Sequence, residues 1–343
     1  MASVRTFSEV LDSMAVATWR HMKKTVVDQI FDEIVFYNYL RSKGKIQSYQ
    51  GGKYIETPLS NAENDTLSWI NEQDAVNIND LDPISSAQWD WKYLVASVTR
   101  SQIEEQKNRG KMQLINLLKH KMQVTKDTLV KELESKLFSD VDSTGKQMEG
   151  LQHLIADDKV GTVGSINAST YTWWQNQAID YHGTTEYGNS GSSGGFGVAH
   201  TSGPDRGIVA MRTMIDSCSK SLGNAKPDLI LTDKATYRAY NASIDDKLRI
   251  VTQKVGDMSF QTLTFEGLPI LHTDTCPQDG NSRSRMYFID CDHVTMFYDP
   301  GMFFDMTEWK PVPNQLKRAA QIVTACNMIT TMRRSSGVIY DIY

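Results

Sequence analysis

The residue types able to do chemistry are concentrated late in the chain. Cys218, Cys276, Cys291 and Cys326 are its four cysteines, and His272, Cys276, Cys291 and His293 are the best candidates for metal ligands. Their order mixes histidine and cysteine in a way unlike the paired spacings of structural zinc sites, so buried thiols and surface imidazoles are the plainer reading. Cys291 and His293 would share a strand face, placing a thiol beside a base, the arrangement a soluble hydrolase would use. No third orienting group and no oxyanion donor accompanies them. Gly44, Gly52, Gly110 and Gly145 are each followed by lysine, but never then by the Ser or Thr that a phosphate-cradling loop needs for magnesium. The glycines from Gly188 to Gly197 lack the spacing and the preceding strand of a dinucleotide fingerprint. Arg333-Arg334 and the Arg20, Lys23, Lys24 cluster could meet nucleic acid. No aromatic residues interleave with them, and such groups are more often solvated or paired with acids. The sequence assigns no catalytic, cofactor-binding or metal site and implies no cofactor.

What would position such residues is an extended architecture. A chain of 343 residues with a net charge of -5 allows two or three domains and does not suggest a general nucleic-acid binder. No apolar run reaches the ~20 residues that span a bilayer, and the first residues lack a secretion signal, so no membrane partner is expected. Ser101 to about Asp140 reads as one helix of roughly 60 Å. Ser101 would be its N-cap, with Glu104 and Glu105 in the first turn. Leu118, Met122, Thr125, Leu129, Leu133 and Leu137 form its apolar stripe, and Lys107, Lys111, Lys119, Lys126, Lys131, Glu132 and Glu134 occupy the other faces. Upstream, an amphipathic stretch ends at Gly44; it either covers a core or reaches onto a neighbouring copy. Lys53–Leu59 and Gln88–Thr99 read as strands, with Trp89, Trp91, Tyr93 and Val95 alternating in the second. Between them lie Glu63, Asp65, Glu72, Asp74, Asp80 and Asp82 without a single Lys or Arg. This segment is a protruding acidic hairpin whose tip needs an external partner, or a solvated acidic loop. Gly183 to Gly203 reads as a flexible surface loop. Alternating helices and short strands follow, including a helix over Asp205–Leu222. Strands over Met286–Ile289, Val294–Tyr298 and a long Leu316–Met332 run close the chain, which makes an α+β class.

The strings within these elements resemble the major capsid proteins of tailed bacteriophages, with the Hong Kong 97-type fold. They are Thr18-Trp19-Arg20, the run Lys23 to Ile30, Gly51-Gly52 with Glu56 and Pro58, and Ala62-Glu63-Asn64. Asp90-Trp91-Lys92, Glu104-Glu105 with Lys107 to Gly110, Gly267 to Ile270, Asn314-Gln315 and Arg333-Arg334 with Gly337 complete the set. The resemblance implies an N-terminal arm over 1–45 and an extended loop over 46–100. It implies a peripheral domain over 101–147 and 293–330, holding the spine helix and long strands, and an axial α/β domain over 148–292 and 331–343. It implies no enzyme but a virion shell protein, assembled in the host bacterial cytoplasm as hexamers and pentamers around double-stranded DNA, which it meets without sequence specificity. Partners would be copies of itself, a separate scaffolding protein, a portal and a decoration or cement protein. An encapsulin-type compartment of the same fold is the alternative. The arm is too short to contain a removable scaffold, so no processing beyond loss of Met1 is expected. Lys53 and Lys92 sit at the base of the extended loop, unsuited to crosslinking from its tip. The expected inter-subunit contacts pair the eight carboxylates from Glu56 to Asp90, Glu63, Asp65, Glu72 and Asp74 among them and with Trp69 beside them, against Arg20, Lys23, Lys24 and the Lys-rich face of the spine helix of a neighbour.

Overall fold

The computed structural model of the chain describes residues 34–60, 69, 71, 84–103, 111–141, 144–182, 206–219, 225–245, 263–278 and 283–342. The helices are α1 (Val35–Ser42), α2 (Lys111–Phe138), α3 (Leu151–Leu154), α4 (Arg206–Ser219) and α5 (Lys234–Asp245). The first strands are β1 (Ile46–Ser48), β2 (Tyr54–Ser60), β3 (Ile84–Asp90), β4 (Lys92–Ser101), β5 (Thr162–Val163), β6 (Ile166–Asn167), β7 (Gln177–Asp180) and β8 (Leu229–Thr232). They are followed by β9 (Leu263–Phe265), β10 (Leu268–His272), β11 (Ser284–Ile289), β12 (Val294–Tyr298), β13 (Asp305–Met306), β14 (Lys310–Pro311), β15 (Lys317–Thr330) and β16 (Gly337–Ile342).

Two six-stranded sheets organise these elements. In the first, the 14-residue β15 is the common partner of β12, β13, β14 and β4, and β1 adds to β12 in parallel. In the second, the order is β7-β16-β11-β8-β10-β9, with β7–β16 and β8–β10 parallel and the remaining pairs antiparallel. After β4 the chain reaches the second sheet by way of α2, and it then crosses directly between the sheets at two places, from β11 to β12 through 290–293 and from β15 to β16 through 331–336. One apolar core spans both sheets, joining α1, α2 and α3 to residues such as Leu231, Tyr287, Met296 and Ile322. Burial of that continuous apolar area is the main favourable term holding the two sheets together.

Helix α1 is held by Phe36, Tyr37, Tyr39 and Leu40, all buried in the core of the same chain. Gly44, at φ +69, ends it in the left-handed conformation that glycine adopts without strain. So 35–42 covers its own core, while the part of the expected arm before residue 34 lies outside the described residues. In α2 the expected phase holds: Met122, Leu129, Leu133 and Leu137 are all buried. Lys126 departs from it, being 3% exposed where a solvated lysine was expected. Val130 and Phe138 also turn inward, which widens the buried stripe. The start of the helix differs too. Ser101 is the last residue of β4, paired with Lys317, although its Oγ still accepts the Ile103 N–H at 3.3 Å as an N-cap would.

The expected strand over Gln88–Thr99 is two strands in two different sheets. Seven residues of β3 pair with β2, and the ten of β4 pair with β15. Trp91 is the break, with its indole N–H reaching the Gly52 carbonyl at 3.3 Å. The buried Asn327 fastens this corner, donating to the Asp90 carbonyl at 2.9 Å while its Oδ1 accepts the Glu149 N–H at 3.1 Å. Because side chains alternate along a strand, the break shifts the inward phase by one residue. Trp89 is 1% exposed, but Tyr93 and Val95 stand outward at 59% and 52%.

Candidate assembly surface

The chemistry-bearing residues do not converge. Cys291 is buried in the first crossing, where its N–H donates to Asp228 Oδ1 at 2.9 Å. Burial, then the neighbouring Asp228 carboxylate, pushes its thiol well above the ordinary value, the reverse of what a nucleophile needs. His293 Nδ1 instead faces Thr331 Oγ1 at 2.7 Å, which ties the two crossings together. The pair thus shares a turn and not a strand face, and a hydrolase centre there is overturned by geometry. His272 packs on the Tyr237 ring, and the Cys276 thiol reaches the Arg285 carbonyl. Among the described residues no group of His, Cys, Asp or Glu could hold a metal ion. All four cysteines are buried free thiols, as their scatter suggested.

Arg333 also departs from expectation. It is 1% exposed, and it donates to the Leu154 carbonyl at 2.8 Å, the Trp174 carbonyl at 3.2 Å and Asn176 Oδ1 at 3.0 Å. Burial lowers its guanidinium to about 10. It is therefore a structural peg holding the second crossing to α3 and the Trp174 turn, unavailable to nucleic acid.

The hairpin is where the surface becomes informative. Its base is not a bare acidic ribbon. Ile55, Leu59, Ala87 and Trp89 form an apolar face that packs on Ile166, Ala168, Trp174 and Ile329. Strands β5 and β6 are joined by Gly164 and Ser165 at φ +59 and +64, the positive pair of a type I′ turn. The turn lies directly under the Trp89 ring: a Cβ on Gly164 would come within 2.6 Å of it. The Gln88 N–H bonds to the Gly164 carbonyl at 3.0 Å, and the Ser165 hydroxyl to the Gln88 carbonyl at 3.2 Å. The foot is thereby fixed on its own body, a feature masked in the sequence because β5 and β6 have only two residues each. On the outer face Glu56 accepts from Gln88 Nε2. Of the expected contact residues, Trp69 is fully exposed at 102%. Glu63, Asp65, Glu72, Asp74, Arg20, Lys23 and Lys24 lie outside the described residues.

A groove that the sequence did not announce begins at this foot. Its inner part is a cavity of 220 Å³ lined by Leu94, Leu133, Met148 and Cys326 together with Lys92, Lys146 and the Lys136–Glu132 ion pair at 3.6 Å. It continues past Tyr93 into a 480 Å³ cleft bounded by Lys53, Tyr54, Asp90 and Trp91. Lys92 donates to the Gly145 carbonyl and Lys53 lies 4.8 Å over the Tyr54 ring, so both cations rest on neutral groups. Strand β4, which forms one wall, is an edge of its sheet among the described residues.

No protein-family model and no curated protein matches the chain. Solved structures do match, across most of the length of both partners. The capsid asymmetric unit of Cyanophage A-1(L) shares 16% identity over 87% of this chain and 90% of its own, with a TM-score of 0.58. The capsid of a native GTA particle shares 9% over 89% and 91%, with a TM-score of 0.55. The holo-SrpI encapsulin complex from Synechococcus elongatus PCC 7942 shares 10% over 86% and 84%, with a TM-score of 0.52. At such identities a likeness speaks for fold and not for activity. With two sheets, a long helix and a foot-anchored hairpin in this order, the chain has the α+β Hong Kong 97-type fold of tailed-phage capsid proteins.

Proposed function

We propose that the chain is the major capsid protein of a tailed bacteriophage, assembling as hexamers and pentamers into an icosahedral shell around double-stranded DNA. The observation that carries this reading is agreement of fold with a phage capsid subunit over 87% of this chain and 90% of that one, at a TM-score of 0.58. The anchored hairpin supports it: a two-stranded ribbon is marginal alone in water, and this one presents a fully exposed Trp69. In this reading 1–45 is the arm, 46–100 the extended loop, 101–147 with 293–330 the peripheral domain, and 148–292 with 331–343 the axial domain. Its role is structural and non-catalytic. It resides in the virion after assembly in the host cytoplasm, with a scaffolding protein, a portal and a decoration protein as partners. The acidic residues Glu63, Asp65, Glu72 and Asp74 meet basic residues of a neighbouring copy, Arg20, Lys23 and Lys24 among them.

Light scattering and negative-stain microscopy of the purified chain test this directly, the expected outcome being large, uniform, closed particles. A chain that remains monomeric at every salt and protein concentration overturns the proposal. An encapsulin-type compartment is the second reading, favoured by the match to the SrpI encapsulin over 86% of the chain. Particles from the native source that enclose protein cargo and no DNA would select it.

A further inference from the structure

We propose that Lys43 and Lys45 are positioning residues, an ionic latch that fixes the angle at which the two sheets meet. On the shell reading above, on which this second step rests, the same latch sets the curvature that each subunit contributes. The backbone around the two lysines belongs to the first sheet: the Lys45 carbonyl accepts the Met296 N–H at 2.9 Å, and Ile46 stands opposite Met296 in the β1–β12 pair. Their side chains grip the second sheet and the crossing that leaves it. Lys43 Nζ lies 3.1 Å from Asp228, the residue before β8, whose own N–H bonds to the Ile289 carbonyl of β11 at 2.9 Å. Lys45 Nζ lies 3.3 Å from the Asp292 carboxylate and 3.1 Å from the Asp292 carbonyl. Gly44, at φ +69, folds the chain between them, so the lysines on either side of it reach one crossing.

Charge and connectivity argue the same way. Asp228, Asp290 and Asp292 bring three carboxylates to the crossing, and burial, with the Asp228 charge adding to it, holds the Asp290 carboxyl above its ordinary value. The groups facing them are Lys43, Lys45 and the His293 imidazole, whose Nε2 is 3.9 Å from Asp290. Asp228 is held on both sides, since its Oδ1 accepts the Cys291 N–H at 2.9 Å. The second crossing is tied to the first by the His293–Thr331 contact and by the Ser336 hydroxyl, which accepts the Asp290 N–H at 3.1 Å. A grip on one crossing therefore acts on both. Apolar burial draws the sheets together without direction, whereas paired charges select one register. A network around a partly buried carboxylate also holds geometry better than an isolated surface pair.

The test uses the free subunit, with nitroxides at Ser97→Cys in β4 and Asp216→Cys in α4, both exposed positions, while the four native thiols are buried. Pulsed electron resonance then reads the distance between the two bodies, and the parent is expected to give one narrow distribution at low salt. Lys43→Gln with Lys45→Gln is expected to raise the population of other orientations about fivefold, as is ~1 M salt acting on the parent, while Lys43→Arg with Lys45→Arg keeps the narrow distribution. Lys45→Asp is expected to broaden it, and Asp292→Lys added to Lys45→Asp to narrow it again. Equal widths in all variants, or a broadening that the exchanged pair does not reverse, overturn the latch. Particle diameters test the second step: mixed sizes are expected from the double glutamine variant, and uniform parental sizes from a broadened subunit overturn the link to curvature. A parent that forms no particles overturns the shell reading alone, because the subunit distances are read without it.

Discussion

Removing the ring that seats the hairpin separates the fold of the body from the placement of the loop. Trp89→Ala deletes a side chain that is 1% exposed between Ile55, Leu59 and Ala87 on its own ribbon and Ile166, Ala168 and Trp174 on the body. Truncating a buried Trp costs about 3–5 kcal/mol. Part returns here, because Trp89 Nε1 is buried without a hydrogen-bond partner and the cost of hiding it, about 1–2 kcal/mol, disappears. The net is about 1–4 kcal/mol, and it falls on the ribbon, because a two-stranded hairpin has little independent stability. Hydrogen exchange of the free subunit is the assay. Amides of 54–60 and 84–90 are expected to exchange on the order of 5- to 700-fold faster, since each 1.4 kcal/mol is tenfold. Amides in β8, β11 and β16 should keep parental rates, and particle formation should fail. Unchanged exchange in the hairpin, or an equal loss of protection throughout β11 and β16, refutes the idea of a locally seated foot.

Three further outcomes follow from burial. Leu129→Asp places an unpaired carboxylate at a site 3% exposed and is expected to abolish soluble subunit, whereas Lys131→Asp, on the exposed face, leaves yield and assembly near parental; equal particle yields would refute the phase of α2. Arg333→Lys keeps the charge but can satisfy only part of a three-acceptor fork, so a loss of about 2–4 kcal/mol in urea unfolding is expected; a change below about 0.5 kcal/mol would show that the guanidinium shape is immaterial. Burial raises the Glu149 carboxyl above its ordinary value of 4.5. With the folded value above the unfolded one, its ionisation lowers stability as pH rises through that window, and the penalty is absent below it. Glu149→Gln should therefore gain stability over the parent at pH 7 and lose that gain near pH 4, as read from urea midpoints at both.

Local periodicity made much of this chain legible. The stripe Met122, Leu129, Leu133, Leu137 phased α2 correctly, and the strand expected over Val294–Tyr298 stands in the fold with the same bounds. The Leu316–Met332 run became β15 over Lys317–Thr330, since a long β-branched and apolar stretch has few alternatives to a central strand. The acidic run between residues 56 and 90 was equally plain, because charge does not depend on context. Burial of Lys126 and Arg333 was not legible: whether a cation faces water or a pocket of carbonyls depends on elements far away in sequence, such as Leu154 and Trp174.

The sequence by itself therefore determined the helices, the long strand, the one-sided charge of the hairpin and a class of fold. Only the tertiary structure decided where the chain changes sheets. The alternation of Trp89, Trp91, Tyr93 and Val95 reads as a single strand, yet Asn327 and Gly52 capture the corner at Trp91, and the inward face shifts by one residue. The groove of Lys53, Lys92, Lys136 and Lys146 belongs to the same category, since its lining comes from five separate parts of the chain. Periodicity is set by neighbours three or four residues apart, while a break, a seat or a buried charge is set by whatever the folded chain brings against it.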